Sequence, residues 1–355
     1  MAGRHTGALS ATVVLPTYRR DAALRRALAG LADQTDPGLP WDLVVVDNDD
    51  APGAEEAVHD AGASFPVPIR LVRERRRGAS SARNRGIADA SGTIVAFIDD
   101  DVVPREDWLR RLLAPLLDGR CDGVGGRVVL DPSPPRPSWF DITWMGRCLA
   151  DFKPFEEEAQ IPLDGYVLTA SAAFRADLLR ATGGLDVVLG PRPGVPMVND
   201  DVGLCQRFIA LGGTIRYVPD AVVVHELPQA RLRRRYLVRR WYAQGRSDWL
   251  LEREALVATR TGGAGAAWWN LTDILGNHAR AALGTSDKLG ARRVNGFRAV
   301  CELARVAGIL RESVAFKTGR GAVHGSHPRL PLPEPRAQPQ EVTTAQGVDP
   351  EAAAP

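Results

Sequence analysis

Four short apolar runs in the first hundred residues alternate with stretches of helical spacing, and this alternation limits the fold more than any other feature. The runs are residues 12–15, 43–46, 69–72 and 93–98. Between them, residues 21–31 and 80–90 repeat apolar side chains at the spacing of one helix face. Short buried runs alternating with helices predict an α/β fold with a mainly parallel sheet and helices on both faces. In such a sheet, ligands sit beyond the carboxyl ends of the strands. The unusual polar residues fall there: Thr17, Tyr18 and Arg19 after the first run, Asp47 and Asn48 after the second, and Asp99, Asp100 and Asp101 after the fourth.

The pattern breaks at residues 131–166. Pro132, Pro134, Pro135, Pro137 and Pro154 are interspersed with Trp139, Phe140, Trp144, Phe152 and Phe155. A long aromatic loop of this kind reads either as a lid or substrate wall, or as a cluster that packs the loop onto the sheet. Helix and strand signals resume over residues 170–224. After His225 the composition changes: residues 231–240 hold six arginines and no acid. Helical spacing then predicts helices over 248–258, 268–283 and 296–310. From residue 326 onward there are seven prolines and no aromatic residue, a composition too poor in apolar groups to fold. At roughly 150 residues per domain, 355 residues suggest about two domains. The division expected is a main domain over 1–225, a helical appendage over 226–320 and a proline-rich disordered tail over 321–355.

Several function classes drop out. Lys and Arg total 45 and Asp and Glu 43, a net charge of +2, so the chain is no nucleic-acid-coating polycation. Its four cysteines are scattered without a CxxC pair, which disfavours a disulfide framework or a zinc site. No GxGxxG follows the first strand, which argues against a dinucleotide-binding enzyme. The stretch RRRGASSARNRG lacks P-loop spacing and its lysine. The amino-terminal apolar stretch is too short for a signal peptide, and no run is long enough to span a bilayer. A cytoplasmic enzyme is the expectation. The arginine run has three readings: a solvated helix face, a contact to a diphosphate or acidic acceptor, or peripheral attachment to an anionic membrane.

The sequence FIDDDVVP places three aspartates where a buried strand ends. Adjacent like charges repel, so the cluster calls for a cation or hydrogen-bond donors. A hard divalent ion held by one or two carboxylates, with substrate phosphate and water in its other positions, would compensate it. In an extended segment Asp99 and Asp101 point one way and Asp100 the other. The alternative is a solvated acidic loop.

The segments VVLPTYRR, LVVVDND, GASSARNRGIADASGTIVAFIDDD and NDDVGLCQRFIALGGTIRYVPDAVVVH follow in order over residues 11–225. Together they resemble the family 2 glycosyltransferases. The resemblance implies a GT-A fold, with a Rossmann-like, mostly parallel sheet and a helical appendage at the carboxyl end. It implies a nucleotide-sugar half at about 11–130 and an acceptor half at about 131–225. Pro16, Thr17, Tyr18 and Arg19 would line the nucleotide site, and Asp47 or Asn48 would read a uracil or thymine edge. Arg83 would lie against base or diphosphate. Asp99 and Asp100 would meet ribose or metal, Asp101 would bind Mg²⁺ or Mn²⁺, and His225 would complete the metal site. Asp201 would be the catalytic base, with Asp200 beside it; the same pair also reads as an ordinary helix cap. Asn48 stands where the family carries an aspartate, and Asp200 where it carries a glutamate. The implied reaction is an inverting transfer from a UDP- or dTDP-sugar to a glycan, lipid-linked or small-metabolite acceptor. The rivals are a sugar nucleotidyltransferase and a non-catalytic binding protein that works through its arginine helix.

Overall fold

The four apolar runs become neighbouring strands of one sheet. A computed structural model describes residues 9–258, apart from 50, 52, 63 and 195, together with residues 292–317. The first half gives β1 (Ala11–Thr17), α1 (Asp21–Ala32), β2 (Trp41–Asp47), α2 (Gly53–Gly62), β3 (Ile69–Arg73), α3 (Ala79–Asp89) and β4 (Ile94–Ile98). These four strands pair in parallel in the order β3-β2-β1-β4. All five residues of β4 are buried, as expected of a strand covered on both faces. Helix α3 presses closely onto β1. A side chain on Gly86 would start 2.2 Å from Val14, so only glycine permits this approach.

The second half is mixed. It contains β5 (Val102–Pro104), α4 (Trp108–Leu117), β6 (Gly123–Leu130), a short helix α5 (Ile142–Met145), a 3₁₀ turn (Gly146–Leu149), β7 (Ala159–Gln160), β8 (Ser171–Arg175), α6 (Ala176–Ala181), α7 (Asp200–Ala210) and β9 (Ile215–His225). The sheet continues from β4 through β8, β6 and β9 to β5, and β7 pairs with β9. Strand β8 is antiparallel to both β4 and β6, while β9 is parallel to β6. Two reversals therefore make β9 run in the same direction as β4. The carboxyl ends of β1, β2, β4 and β9 open on one edge, which brings His225 to the aspartate cluster. The short strand β5 fixes this: Val102, next to Asp101, pairs with His225.

Beyond β9 lie a 3₁₀ turn (Gln229–Leu232), α8 (Arg234–Ala258) and α9 (Arg292–Lys317). The helix expected at 248–258 is the end of the longer α8, and that expected at 296–310 falls within α9. The helix expected at 268–283 and the tail at 321–355 lie outside the described residues. Helices α8 and α9 join the sheet through a second apolar core in which Leu237, Trp241 and Cys301 meet Leu130, Met145 and Leu149. Among the described residues, no helix is long and apolar enough to cross a membrane.

The aromatic loop packs onto its surroundings and also reaches the cleft. Trp139 and Trp144 pack edge-on against Phe297 and Trp241, and Phe152 and Phe155 pack on Tyr217. Trp144, Cys148 and Tyr166 also line the cleft at the strand ends.

Candidate active site

A cleft of about 740 Å³ opens over the strand ends. Its floor is the aspartate cluster, and each carboxylate there has its own partners. Asp100 is buried. It accepts hydrogen bonds from the Thr17 hydroxyl (2.8 Å) and from Nη1 of Arg20 (2.9 Å). Burial pushes its carboxyl up to about 6, although Arg20 pulls the other way. Asp99 is the most exposed of the three and is gripped by Arg83 from α3. Asp101 is buried, which alone would raise its pKa. The hydrogen bond and charge of His225, with the guanidinium groups of Arg231 and Arg20, outweigh burial and hold it well below the usual carboxylate range. Its Oδ2 lies 2.7 Å from Arg20 Nη1, 3.0 Å from Arg231 Nη2 and 3.4 Å from His225 Nε2.

His225 is buried and oriented from behind. Its Nδ1 donates to the carbonyl of Leu149 (3.0 Å), so Nε2 faces Asp101 and lies 3.0 Å from Arg231 Nη1. Among the described residues, no three His, Cys, Asp or Glu side chains converge on one point. Two do: Asp101 Oδ2 and His225 Nε2 share a locus that two guanidinium groups fill. That locus is built for positive charge. An oxygen and an imidazole nitrogen fit part of the shell of Mg²⁺ or Mn²⁺, with diphosphate and water left to complete it.

The opposite wall carries the aspartate pair. Both residues lie in the first turn of α7, inside its cap, and the capping Asn199 makes no side-chain bond to the helix. Neither aspartate is a helix cap. Asp200 is buried, and its Oδ2 accepts from the Ser80 hydroxyl (2.8 Å) and lies 3.4 Å from Arg83 Nη1. Asp201 is half-buried; its Oδ1 accepts from the Thr169 hydroxyl (2.6 Å) and backbone (3.3 Å). Burial and then the adjacent Asp200 charge push the Asp201 carboxyl up to about 7, while Arg83 and Thr169 draw it down. A carboxylate that titrates near neutrality, with one oxygen held and the other open to a cleft, suits a general base. Removing the Thr169 hydroxyl deletes a contact that favours the charged form. Thr169→Val is expected to move the acidic limb of the pH–rate profile to higher pH, read as kcat against pH.

The other expected residues divide. Pro16, Thr17, Tyr18 and Arg83 line the cleft, but Arg19 turns onto Asp49 at its edge (2.7 Å). Asn48 also lines it, yet its amide donates to the Glu74 and Arg76 carbonyls and accepts from the Gly78 backbone, so it is spent on shaping the loop before α3. Asp47 is buried beneath it; its Oδ2 has no hydrogen-bond partner and lies 3.8 Å from Arg73. Arg20, Arg231, Thr169 and Ser80 were not singled out by sequence. The arginine run does not present a single face. Arg231 turns inward to Asp101, Arg240 lines the cleft, Arg234 stacks on Trp139 and Phe297, and the remaining three are exposed.

The profile described as Glycosyl transferase family 2 matches residues 12–183, which hold β1 through α6 and the whole aspartate cluster. Over these residues, just under half of its length, the chain is similar to this family. The chain is 29% identical over 220 residues to the pre-mycofactocin glycosyltransferase of Mycobacterium tuberculosis, covering 61% of this chain and 42% of that protein. To glycosyltransferase AglE of Haloferax volcanii it is 31% identical over 117 residues, 33% of this chain and 38% of that one. To succinoglycan biosynthesis protein ExoM of Rhizobium meliloti it is 28% identical over 254 residues, 71% of this chain and 76% of that one. The chain thus spans less than half the length of the first two relatives. Among solved structures, mannosyltransferase PcManGT from Pyrobaculum calidifontis, in complex with GDP-Man and Mn²⁺, superposes with a TM-score of 0.53 at 22% identity. The match covers 88% of this chain and 80% of that one. This likeness establishes the GT-A fold.

Proposed function

We propose that this chain is a metal-dependent, inverting glycosyltransferase that moves a sugar from a UDP- or dTDP-sugar to an acceptor hydroxyl. The observation that carries the reading is the pair of walls facing one cleft: Asp101 with His225 on one, and Asp201 with an open oxygen on the other. The ordered family match supports transfer rather than nucleotidyl transfer or mere binding.

The chemistry follows from what each side chain has free. Asp201 takes the proton as the acceptor hydroxyl attacks the sugar carbon, and Thr169 holds it in place. Asp200 is engaged by Ser80 and Arg83, so a single displacement with inversion needs no second carboxylate as nucleophile. Asp101 and His225 would hold the divalent ion, which neutralises the departing diphosphate. Arg20 and Arg231 occupy that locus now. When it is taken over by a metal, each is free to meet a phosphate oxygen, a role for which the guanidinium fork is well shaped. The pyrimidine base rests on the family likeness rather than on Asp47, whose Oδ2 lacks a hydrogen bond but is buried and does not line the cleft.

The test is a thermal-shift panel of UDP, dTDP and GDP, each with Mn²⁺ or with chelator. A nucleotide that binds the folded state raises Tm with its concentration. The expected result is a larger rise for UDP or dTDP than for GDP, lost on chelation. A larger rise for GDP sinks the base assignment, and a rise indifferent to chelation sinks the metal. Release of nucleoside diphosphate rather than pyrophosphate on turnover separates transfer from nucleotidyl transfer.

A further inference from the structure

One end of the cleft is built by elements other than the strand ends. Past Asp201 its wall is made by the 3₁₀ turn at Gly146–Leu149 and by α8 and α9, and both helices lie outside the residues the family profile matches. Three arginines reach this end from three separate elements: Arg147 from the turn, Arg240 from α8 and Arg298 from α9. Of the other arginines of the cleft, Arg20 pairs with Asp100, Arg83 with Asp99, Arg231 with Asp101 and Arg305 with Asp248, while Arg192, which packs against Gly78 before α3, reaches only the Val188 carbonyl (3.4 Å). Among the described residues, Arg147, Arg240 and Arg298 form no ion pair. Arg147 donates to the Tyr166 hydroxyl (3.0 Å) and lies over that ring, and Arg240 reaches the Gln244 amide oxygen only at 3.4 Å. The acids at this end are Asp248, held by Arg305 at 2.6 Å, and Glu302, buried on α9. The surface between the arginines is aromatic, with Trp144 and Trp241 edge to face at 5.2 Å.

Two sets of contacts lead from these arginines to the base. Arg147 rests on Tyr166, three residues before the Thr169 that holds Asp201. Arg240 meets Gln244, which donates to Asn199 (2.8 Å), the residue that caps the helix carrying Asp200 and Asp201. We propose that this end is an acceptor subsite that reads a negative charge: the acceptor carries a carboxylate or phosphate beside an apolar face, close to the hydroxyl it presents to Asp201. The arginine forks supply bidentate donors to such an anion, and the tryptophans cover the attached apolar group. This rests on the glycosyl-transfer reading and names the acceptor class for it.

The test uses the full chain with saturating UDP and Mn²⁺, which fill the donor end. Phenyl phosphate, benzoate and neutral benzyl alcohol are titrated by calorimetry. The two anions are expected to bind, with benzyl alcohol at least about tenfold weaker. Arg147→Gln and Arg298→Gln, both away from the packed core, are each expected to weaken phenyl phosphate about tenfold and leave benzyl alcohol unchanged. Equal binding of benzyl alcohol, indifference to both variants, or displacement of phenyl phosphate by UDP overturns the proposal. Vesicles of phosphatidic acid in phosphatidylcholine, run against soluble phenyl phosphate, tell a lipid headgroup from a free anionic acceptor, and preference for either supports the subsite. If UDP with Mn²⁺ fails to bind while another nucleoside diphosphate does, the base assignment falls and that nucleotide fills the donor end; if none binds, the transfer reading falls. If UDP binds and the anions do not, the subsite alone falls.

Discussion

Asp201→Asn is expected to lower transfer about a thousandfold while leaving UDP binding intact. Asparagine keeps the shape, and its side-chain oxygen still accepts from Thr169. What it loses is the ability to take a proton from the acceptor hydroxyl. The wild-type rate should fall as the pH drops through about 7, where Asp201 becomes protonated, and the residual rate of the variant should lack that limb. Stability moves the other way. The folded pKa of about 7 lies above the ordinary aspartate value of 3.8, so the native state binds the extra proton between those values and the wild type loses stability as pH rises through them. Above that window the asparagine variant is expected to melt no lower than the wild type. Asp200→Asn separates the two aspartates. Removing the Asp200 charge relieves a repulsion that raises Asp201, so the acidic limb should persist and shift to lower pH. If it is Asp200→Asn that abolishes the limb, with Asp201→Asn still active, the base has been assigned to the wrong residue.

The parts of the site legible in the sequence share one property: they sit at the ends of apolar runs. Thr17, Asp47 and Asp99 to Asp101 end strands whose burial is written in their composition, and strand ends of a parallel sheet converge by construction. The cations that oppose them were harder to read. Arg20 lies 81 residues from Asp101 and Arg231 lies 130 residues away, and an arginine beside other arginines carries no local mark of where it will point. The three-residue strand β5, too short to show a period, is what sets Asp101 beside His225. Thr169 follows no motif; it matters because the segment before β8 passes over the start of α7. Asn48 shows the reverse case. Its chemistry could read a base edge, but the fold uses both of its amide donors, and one bond to its side-chain oxygen, to hold the loop at residues 74–78.

A second large effect is expected where the two carboxyl-terminal helices cross. Gly245 of α8 and Gly308 of α9 form the contact from both sides. A Cβ on Gly245 would fall 1.9 Å from the carbonyl oxygen of Arg305, and one on Gly308 would fall 2.2 Å from that of Tyr242. The helices therefore touch backbone to backbone, and neither obstacle is a side chain that could turn aside. Gly245→Ala sets two principles against each other. Helix propensity alone favours alanine by about 1 kcal/mol. Overpacking a close backbone contact costs about 3 kcal/mol, because α9 must move bodily to admit one methyl group. The second term wins, and the net expectation is a loss of about 2 kcal/mol in urea unfolding followed by tryptophan fluorescence. Trp241 and Trp249 on α8 lie in the buried regions concerned, so their emission reports the change. Displacing α9 also removes Arg298, Glu302 and Arg305 from the cleft wall and loosens the Arg305–Asp248–Gln244–Asn199 chain of contacts that leads to the base helix. Transfer is thus expected to fall together with stability, while UDP binding at the distant strand ends persists. A stabilised Gly245→Ala protein would mean that propensity outweighs the crossing and that α9 does not press on α8 at that point.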